Sequence, residues 1–186
     1  MRLFVAIQIP EDIRASIASL LQEFRAIAPQ IKWIRTCNLH ITLKFLGETE
    51  PRRLSPIREL LASIHTKNPV TLDFSGLGFF PNAKRPNILW AAIQSSSNLQ
   101  TIVAGIENQM HSLGYPKEDR VFTPHLTLAR LDKAVLPKTL KDTIAQISAR
   151  HFGNFIARDF HLIESKLKST GAEYTTVQSF SFVSEA

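Results

Sequence analysis

The chain is 186 residues long, 44% hydrophobic and 20% charged, a composition that suits a soluble globular protein able to bury an ordinary core without staples or metals. Lys and Arg outnumber Asp and Glu by 22 to 16, which favours an anionic partner such as nucleic acid without naming one. A single cysteine, Cys37, excludes an internal disulfide and a zinc site built on thiolates, so the expected compartment is the reducing cytoplasm.

The opening MRLFVAIQIP is apolar but is broken by Gln8 and Pro10 and followed by Glu11 and Asp12, so it lacks signal-peptide grammar. No apolar run reaches membrane-spanning length, and no membrane partner is expected. The segment reads as a strand with Leu3, Val5, Ile7 and Ile9 on one face and Phe4 and Ala6 on the other. Ile13, Ile17, Leu20, Leu21, Phe24 and Ile27 then recur at helical spacing. IKWIR and NLHITLKFLG read as strands, the second ended by Gly47, and Leu54, Ile57, Leu60, Leu61 and Ile64 mark another amphipathic helix. VTLDFSGLGFF and ILWAAIQ are strand-like around the loop PNAKRPN, and Trp90 reads as core.

The second half restarts with a helix at about 98–113, followed by the strand VFTPHLTLARL and a helix at about 138–151. FIARDFHLIES and YTTVQSFSFV carry strand character and are joined by a turn around Ser169, Thr170 and Gly171. Strands close in sequence permit antiparallel pairing, and no Gly-rich phosphate loop is present, so the fold class is α+β rather than doubly wound α/β.

One phrase occurs twice: LHITLKFLG at 39–47 and PHLTLARLD at 124–132 share His, a branched apolar residue, Thr and Leu. In a strand, His40 and Thr42 fall on one face and Ile41, Leu43 and Phe45 on the other; His125 and Thr127 repeat the geometry against Leu126 and Leu128. One His-x-Thr is ordinary sheet decoration, but two in the same frame suggest related lobes facing across a groove. Imidazoles titrate near neutrality and can divide the work of general base and general acid, while hydroxyls can donate to non-bridging phosphate oxygens. These are parts for cleaving a phosphodiester.

HITL and HLTL resemble the two HxTx motifs of the 2H phosphoesterases. NLHITLKFLGE and FTPHLTLARL, with MRLFVAIQIP, ILWAAI and HLIESKLKSTGAEYTTV, are similar to the RNA 2',3'-cyclic phosphodiesterases of bacteria and archaea, the LigT-like branch once described as 2'-5' RNA ligases. The resemblance implies a bilobal α+β domain over residues 1–186, with two pseudo-symmetric lobes of mainly antiparallel sheet, outer helices and a central cleft. It implies His40 as proton donor, His125 as proton acceptor, and Thr42, Thr127 and Arg130 as phosphate contacts, with no metal or other cofactor. The implied substrates are RNA ends bearing a 2',3'-cyclic phosphate, tRNA fragments or small cyclic nucleotides among them, acted on by a monomer. Strict alternation would point Arg130 away from His125 unless the strand bulges. Rival readings are a 2'-5' RNA ligase and a non-catalytic RNA-binding module. A Cys37–His40 nucleophile has the wrong strand parity, and a metal site would have only Glu48 and Asp132 near the histidines. His65, His111 and His151 lie near predicted helix ends and, with His161, read as structural; Lys84, Arg85, Phe79 and Phe80 could serve RNA or simply form a solvated loop and core.

Overall fold

The computed structural model describes residues 1–131, 136–169 and 171–183. The first strand, β1 (Arg2–Gln8), leads into helix α1 (Glu11–Ile27), which buries Ile13, Ile17, Leu20, Leu21 and Phe24. Each such side chain stabilises the fold by about 1.5–3 kcal/mol. The short β2 (Lys32–Trp33) and a 3-10 turn at Thr36–Asn38 precede β3 (His40–Glu48), and α2 (Leu54–Ala62) follows. The hairpin β4 (Val70–Phe80) and β5 (Ile88–Ser95) is followed by α3 (Asn98–Ser112), β6 (His125–Arg130) and α4 (Lys138–Gln146). The chain then runs through β7 (His151–Ala157), β8 (Asp159–Lys168) and β9 (Gly171–Ser181).

The strands form two antiparallel sheets, ordered β3-β1-β8-β9 and β2-β6-β5-β4-β7. Apart from β2, the orders correspond: each His-x-Thr strand pairs with the strand one helix earlier, β3 with β1 across α1 and β6 with β5 across α3. This is the expected α+β architecture of two pseudo-symmetric lobes. The lobes are not successive halves of the sequence, however. β4 joins the sheet of the second motif, while β8 and β9 return to that of the first.

That crossing explains two departures from the sequence reading. FIARDFHLIES is not one strand: Arg158 separates β7 in one sheet from β8 in the other, so a continuous extended run serves both lobes. The last helix stops at Gln146 rather than 151, because the backbone of Ser148 and Arg150 is drawn onto the β4 bulge by bonds from the Leu77 and Gly76 amides at 3.0 and 2.9 Å. His151 accordingly opens a strand instead of closing a helix. Two of the three residues named for the last turn, Ser169 and Gly171, are described; Thr170 is outside the described residues.

Leu3, Val5 and Ile7 of β1 and Leu126 and Leu128 of β6 enter one continuous apolar core with the helices. Phe4 and Ala6 form a smaller cluster with Ile163 on the opposite face of the first sheet, and Tyr174 packs onto it. β3 and β6 come into contact where the sheets meet, so the faces opposite the core border a common cleft.

Candidate active site

The two motif histidines are held in the same way. His40 Nδ1 donates to the carbonyl of Asn38 at 2.7 Å, and His125 Nδ1 donates to the carbonyl of Thr123 at 2.8 Å. A carbonyl can only accept, so in each neutral ring the Nδ1 carries the proton and the Nε2 lone pair is left for chemistry. The extended backbone brings the carbonyl two residues earlier under the ring. His40 Nε2 lies 3.0 Å from the Thr42 hydroxyl, its companion on the same strand face. Thr127 occupies the equivalent position on β6, opposite Trp90.

Both motif strands then bulge at the same point. Pairing with β1 passes from Thr42 to Lys44 while β1 advances by one residue, leaving Leu43 as the extra residue; pairing with β5 passes from Thr127 to Ala129, leaving Leu128. An extra residue reverses the alternation that follows it. Leu43 and Lys44 are therefore both buried, as are Leu128 and Ala129. The residues beyond, Phe45 and Arg130, turn to the His-Thr face. For Phe45 this corrects the expected packing with Ile41 and Leu43: the residue is 57% exposed, and its ring lies 6.1 Å from the Phe4 ring beside His40. For Arg130 the bulge removes the parity objection. Its charge acts on both His40 and Tyr174.

The His40 ring lies between aromatics, 4.8 Å from Phe4 and 5.3 Å from Tyr174. Tyr174 arrives on the β8–β9 hairpin, whose outer part is tied to the 3-10 turn by Asn38 Nδ2 donating to the Ala172 carbonyl at 2.7 Å. Burial pushes the His40 imidazole below its ordinary pKa, and the positive charges of Arg130 and His125 push the same way; the bond to the Asn38 carbonyl opposes them. Arg130 and His125 thus lie within electrostatic reach of His40. Burial raises the Tyr174 hydroxyl while Arg130 and Arg2 pull it down. On the other lobe, Phe80 meets His125 edge-on at 5.0 Å and stacks on Trp90 at 4.9 Å. Trp90 is thus no pure core residue. It lies half-buried against Gly78, where a Cβ would collide with the indole.

The remaining expectations divide. Phe79 packs against the core, whereas Phe80 reaches the site; Lys84 and Arg85 lie in an exposed turn whose amides bond to Asn82 Oδ1 at 3.0 and 3.1 Å. Cys37 is exposed in the 3-10 turn and directs its thiol towards Asn38 Oδ1 at 3.7 Å. His161 bonds Ser179 at 2.8 Å and His151 bonds Asp73 at 2.9 Å, both within their sheets. Asp132 is outside the described residues; among those described, no three His, Cys, Asp or Glu side chains are grouped as a metal ion would require. Sequence reasoning missed Asn38 and Tyr174. Tyr174 lies in a stretch already recognised by resemblance, but its approach to His40 depends on the folding back of a distant hairpin.

Comparison with known proteins places the chain in a family. The chain matches the family described as LigT like Phosphoesterase over residues 7–90 and 93–174, which include both motif strands. It belongs to the LigT-like phosphoesterase family. This LigT-like chain is 36% identical to the RNA 2',3'-cyclic phosphodiesterase of Methanocaldococcus jannaschii, covering 96% of this chain and 99% of that protein. It is 33% identical to the protein of the same name from Archaeoglobus fulgidus, covering 97% and 99%. Among solved structures, TT0787 of Thermus thermophilus superposes with a TM-score of 0.83 at 29% identity over 100% of both chains. The E. coli LigT structure complexed with 3'-AMP shares the fold, with a TM-score of 0.78 at 24% identity over 98% of both chains.

Proposed function

We propose that this LigT-like phosphoesterase opens terminal 2',3'-cyclic phosphates of RNA to 2'-phosphates by general acid and base catalysis between His125 and His40. The observation that carries this reading is the paired clamp: two imidazoles, each with Nδ1 tied to the carbonyl two residues before it, leave Nε2 to move a proton. In-line displacement puts the attacking water and the departing oxygen on opposite sides of phosphorus, so two histidines from facing lobes suit the two ends of the reaction. His125 takes the proton from water. His40 delivers one to O3' as the P–O3' bond breaks, and phosphate remains on O2'.

Arg130 and the hydroxyls of Thr42 and Thr127 then serve the non-bridging oxygens, where negative charge builds. Phe45 and Phe80 offer ring faces to the nucleoside on either side of the reaction centre. Imidazole chemistry of this kind requires no metal, and the two lobes work as one unit. Release of ring strain favours hydrolysis over the reverse, ligating direction in water. The names of the curated relatives support the substrate class, and the cytoplasm is the compartment we infer.

The test is the product. RNA ending in a 2',3'-cyclic phosphate should yield a terminal 2'-phosphate, identified by phosphorus NMR, with activity retained after prolonged chelation. A predominantly 3'-phosphate product would reverse the roles of His40 and His125. Turnover restored solely by an added divalent ion would overturn the two-imidazole chemistry.

A further inference from the structure

The sheet face that carries His125 extends well beyond the motif. On β5, Trp90, Ala92 and Gln94 alternate with the buried Leu89, Ala91 and Ile93, so the first three share the face of His125 and Thr127. His125 pairs with Ala92; two residues further along β5, Gln94 pairs with Asp73, and Asp73 with Asn154 of β7. Val70, Leu72 and Phe74 are buried on the core side of β4, which leaves Asp73 on the cleft side. Two strands across and two residues along put the Asp73 backbone about 12 Å from that of His125. The floor between them is low: Ala92 adjoins the β4 bulge, where a Cβ on Gly76 would lie 3.8 Å from that of Ala92. Thr71 and Ile156, the next cross-strand pair, close the far side, and with Asp73, Gln94 and Asn154 they line an open recess. His151 Nε2 donates to Asp73 Oδ2 at 2.9 Å, with the two side chains 54% and 41% exposed. A carboxylate has about four acceptor sites, so this bond orients Asp73 and leaves Oδ1 open. The exposed side-chain amides of Gln94 and Asn154 make no hydrogen bond among the described residues.

We propose that Gln94, Asp73 and Asn154 form a base-reading subsite for guanine in the penultimate nucleotide of the RNA. The proposal rests on the two-histidine reading for the position of the RNA end. With the terminal nucleoside beside the histidines, a row about 12 Å out meets the base one nucleotide upstream. A carboxylate repels backbone phosphate, so the strand presents a base to this row. Unpaired guanine fits it: the adjacent N1–H and N2–H donors meet the Asp73 carboxylate, and O6 accepts from a neighbouring amide N–H. Uracil sets its one donor between two carbonyl oxygens, which the anion repels. Adenine and cytosine each place a ring-nitrogen acceptor beside their amino group, so neither offers the carboxylate two donors. Ala92 and Gly76 raise no side chain between the reaction centre and the row that would block the strand.

The experiment measures kcat/KM for four dinucleotides that end in uridine 2',3'-cyclic phosphate and differ in the base before it. Uridine 2',3'-cyclic monophosphate is the reference substrate, too short to reach the row. Wild type should favour guanine over uracil roughly tenfold, the scale of a hydrogen bond to a charged group. Asp73→Asn keeps the size of the side chain and an acceptor for His151, yet should shrink that ratio to about twofold or less; Gln94→Ala should lower it about threefold. Both variants should turn over the monophosphate as wild type does. Four equal values in wild type, a preference for another base, a ratio unchanged in Asp73→Asn, or an equal loss on the monophosphate would overturn the proposal. Catalysis is judged separately. If wild type turns over neither the dinucleotides nor the monophosphate, the two-histidine reading fails, and calorimetry with the guanosine-uridine and uridine-uridine dinucleotides ending in a 2'-phosphate decides the row. Equal affinities overturn it, and a guanine preference lost in Asp73→Asn upholds it.

Discussion

The motif strands β3 and β6 have the same frame, the same ring clamp and a bulge at the same position, yet their surroundings differ. His40 is enclosed by Phe4 and by Tyr174 of the returning hairpin, and its pKa is depressed chiefly by that burial. His125 is flanked by Phe80 and Trp90 of the β4–β5 lobe. After the bulges, one strand presents Phe45 and the other Arg130. Inward, one strand buries Lys44 where the other buries Ala129. Duplication supplies a symmetric pair of imidazoles, and unrelated neighbours make them unequal. On the two-histidine reading, what would divide them into acid and base is their neighbours, not the motif.

The largest effects should follow from breaking either copy of the frame. His40→Ala and His125→Ala should each lower turnover of an RNA 2',3'-cyclic phosphate by roughly 10² to 10⁴. The double variant should lose less than the product of the two, because either histidine alone assists an incomplete reaction. Near wild-type turnover in one single variant would remove that residue from the chemistry and leave the frame only half used.

Lys44 tests the inward difference. Its ammonium meets both Glu107 oxygens at 2.9 and 2.8 Å and the Pro116 carbonyl at 2.8 Å, so its three donors are satisfied although the residue is 3% exposed. Lys44→Met would strand a Glu107 side chain that is itself only 16% exposed. The expected cost is about 3 kcal/mol in denaturant unfolding, with part recovered in Lys44→Met/Glu107→Gln. A single variant as stable as wild type would show that the bulge needs no buried pair.

The outward difference is tested by pH. His40 must be protonated to act as acid, and its depressed pKa puts the basic limb of kcat/KM below its ordinary 6.5. An anionic phosphate in the cleft favours the imidazolium, so the basic limb of kcat should lie at higher pH than that of kcat/KM. Arg130→Gln removes one of the positive charges acting on His40. It should lower kcat/KM roughly tenfold to a hundredfold while moving its basic limb upward. A loss of rate with both limbs unmoved would leave Arg130 a phosphate contact without influence on His40. The same shift enters stability: the unfolded chain binds more protons at His40 between the depressed value and 6.5, so stability falls as pH drops through that window.

Much of this arrangement was legible in the sequence because it depends on short-range periodicity. Alternation in β1 and helical spacing in α1 place their core residues correctly, and the repeated phrase marks both histidines. What escaped depends on pairing between distant segments. A bulge is a property of two strands, so Phe45 was assigned to the wrong face and Arg130 could be accepted only conditionally. Trp90 sits in an apolar run, but the run alternates between the core and a cleft that takes shape only when the lobes meet. The role of Asn38 was hidden because its two partners are His40, two residues away, and Ala172, on the far hairpin.

Asn38 also provides the finest test of the inequality between the two histidines. Its backbone carbonyl holds His40 Nδ1, while its side-chain amide holds the hairpin at Ala172. Asn38→Ala keeps the first bond and deletes the second, a loss of about 1 kcal/mol, or roughly fivefold in the closed hairpin population. With the hairpin loosened, water reaches His40, the burial that depresses its pKa is relieved, and its titration should move up towards 6.5. kcat should fall severalfold. Asn38→Asp should lose more, because a carboxylate oxygen would face the Ala172 carbonyl without a donor between them. NMR titration of the ring resonances compares the two sites, since His125 is clamped by Thr123 rather than by Asn38 and should respond only weakly, through its charge coupling to His40. An upward shift at His40 clearly larger than any at His125 would establish that the hairpin makes the two imidazoles unequal. If both titrations move equally, or neither does, the inequality has another source and Asn38 merely ties down the turn.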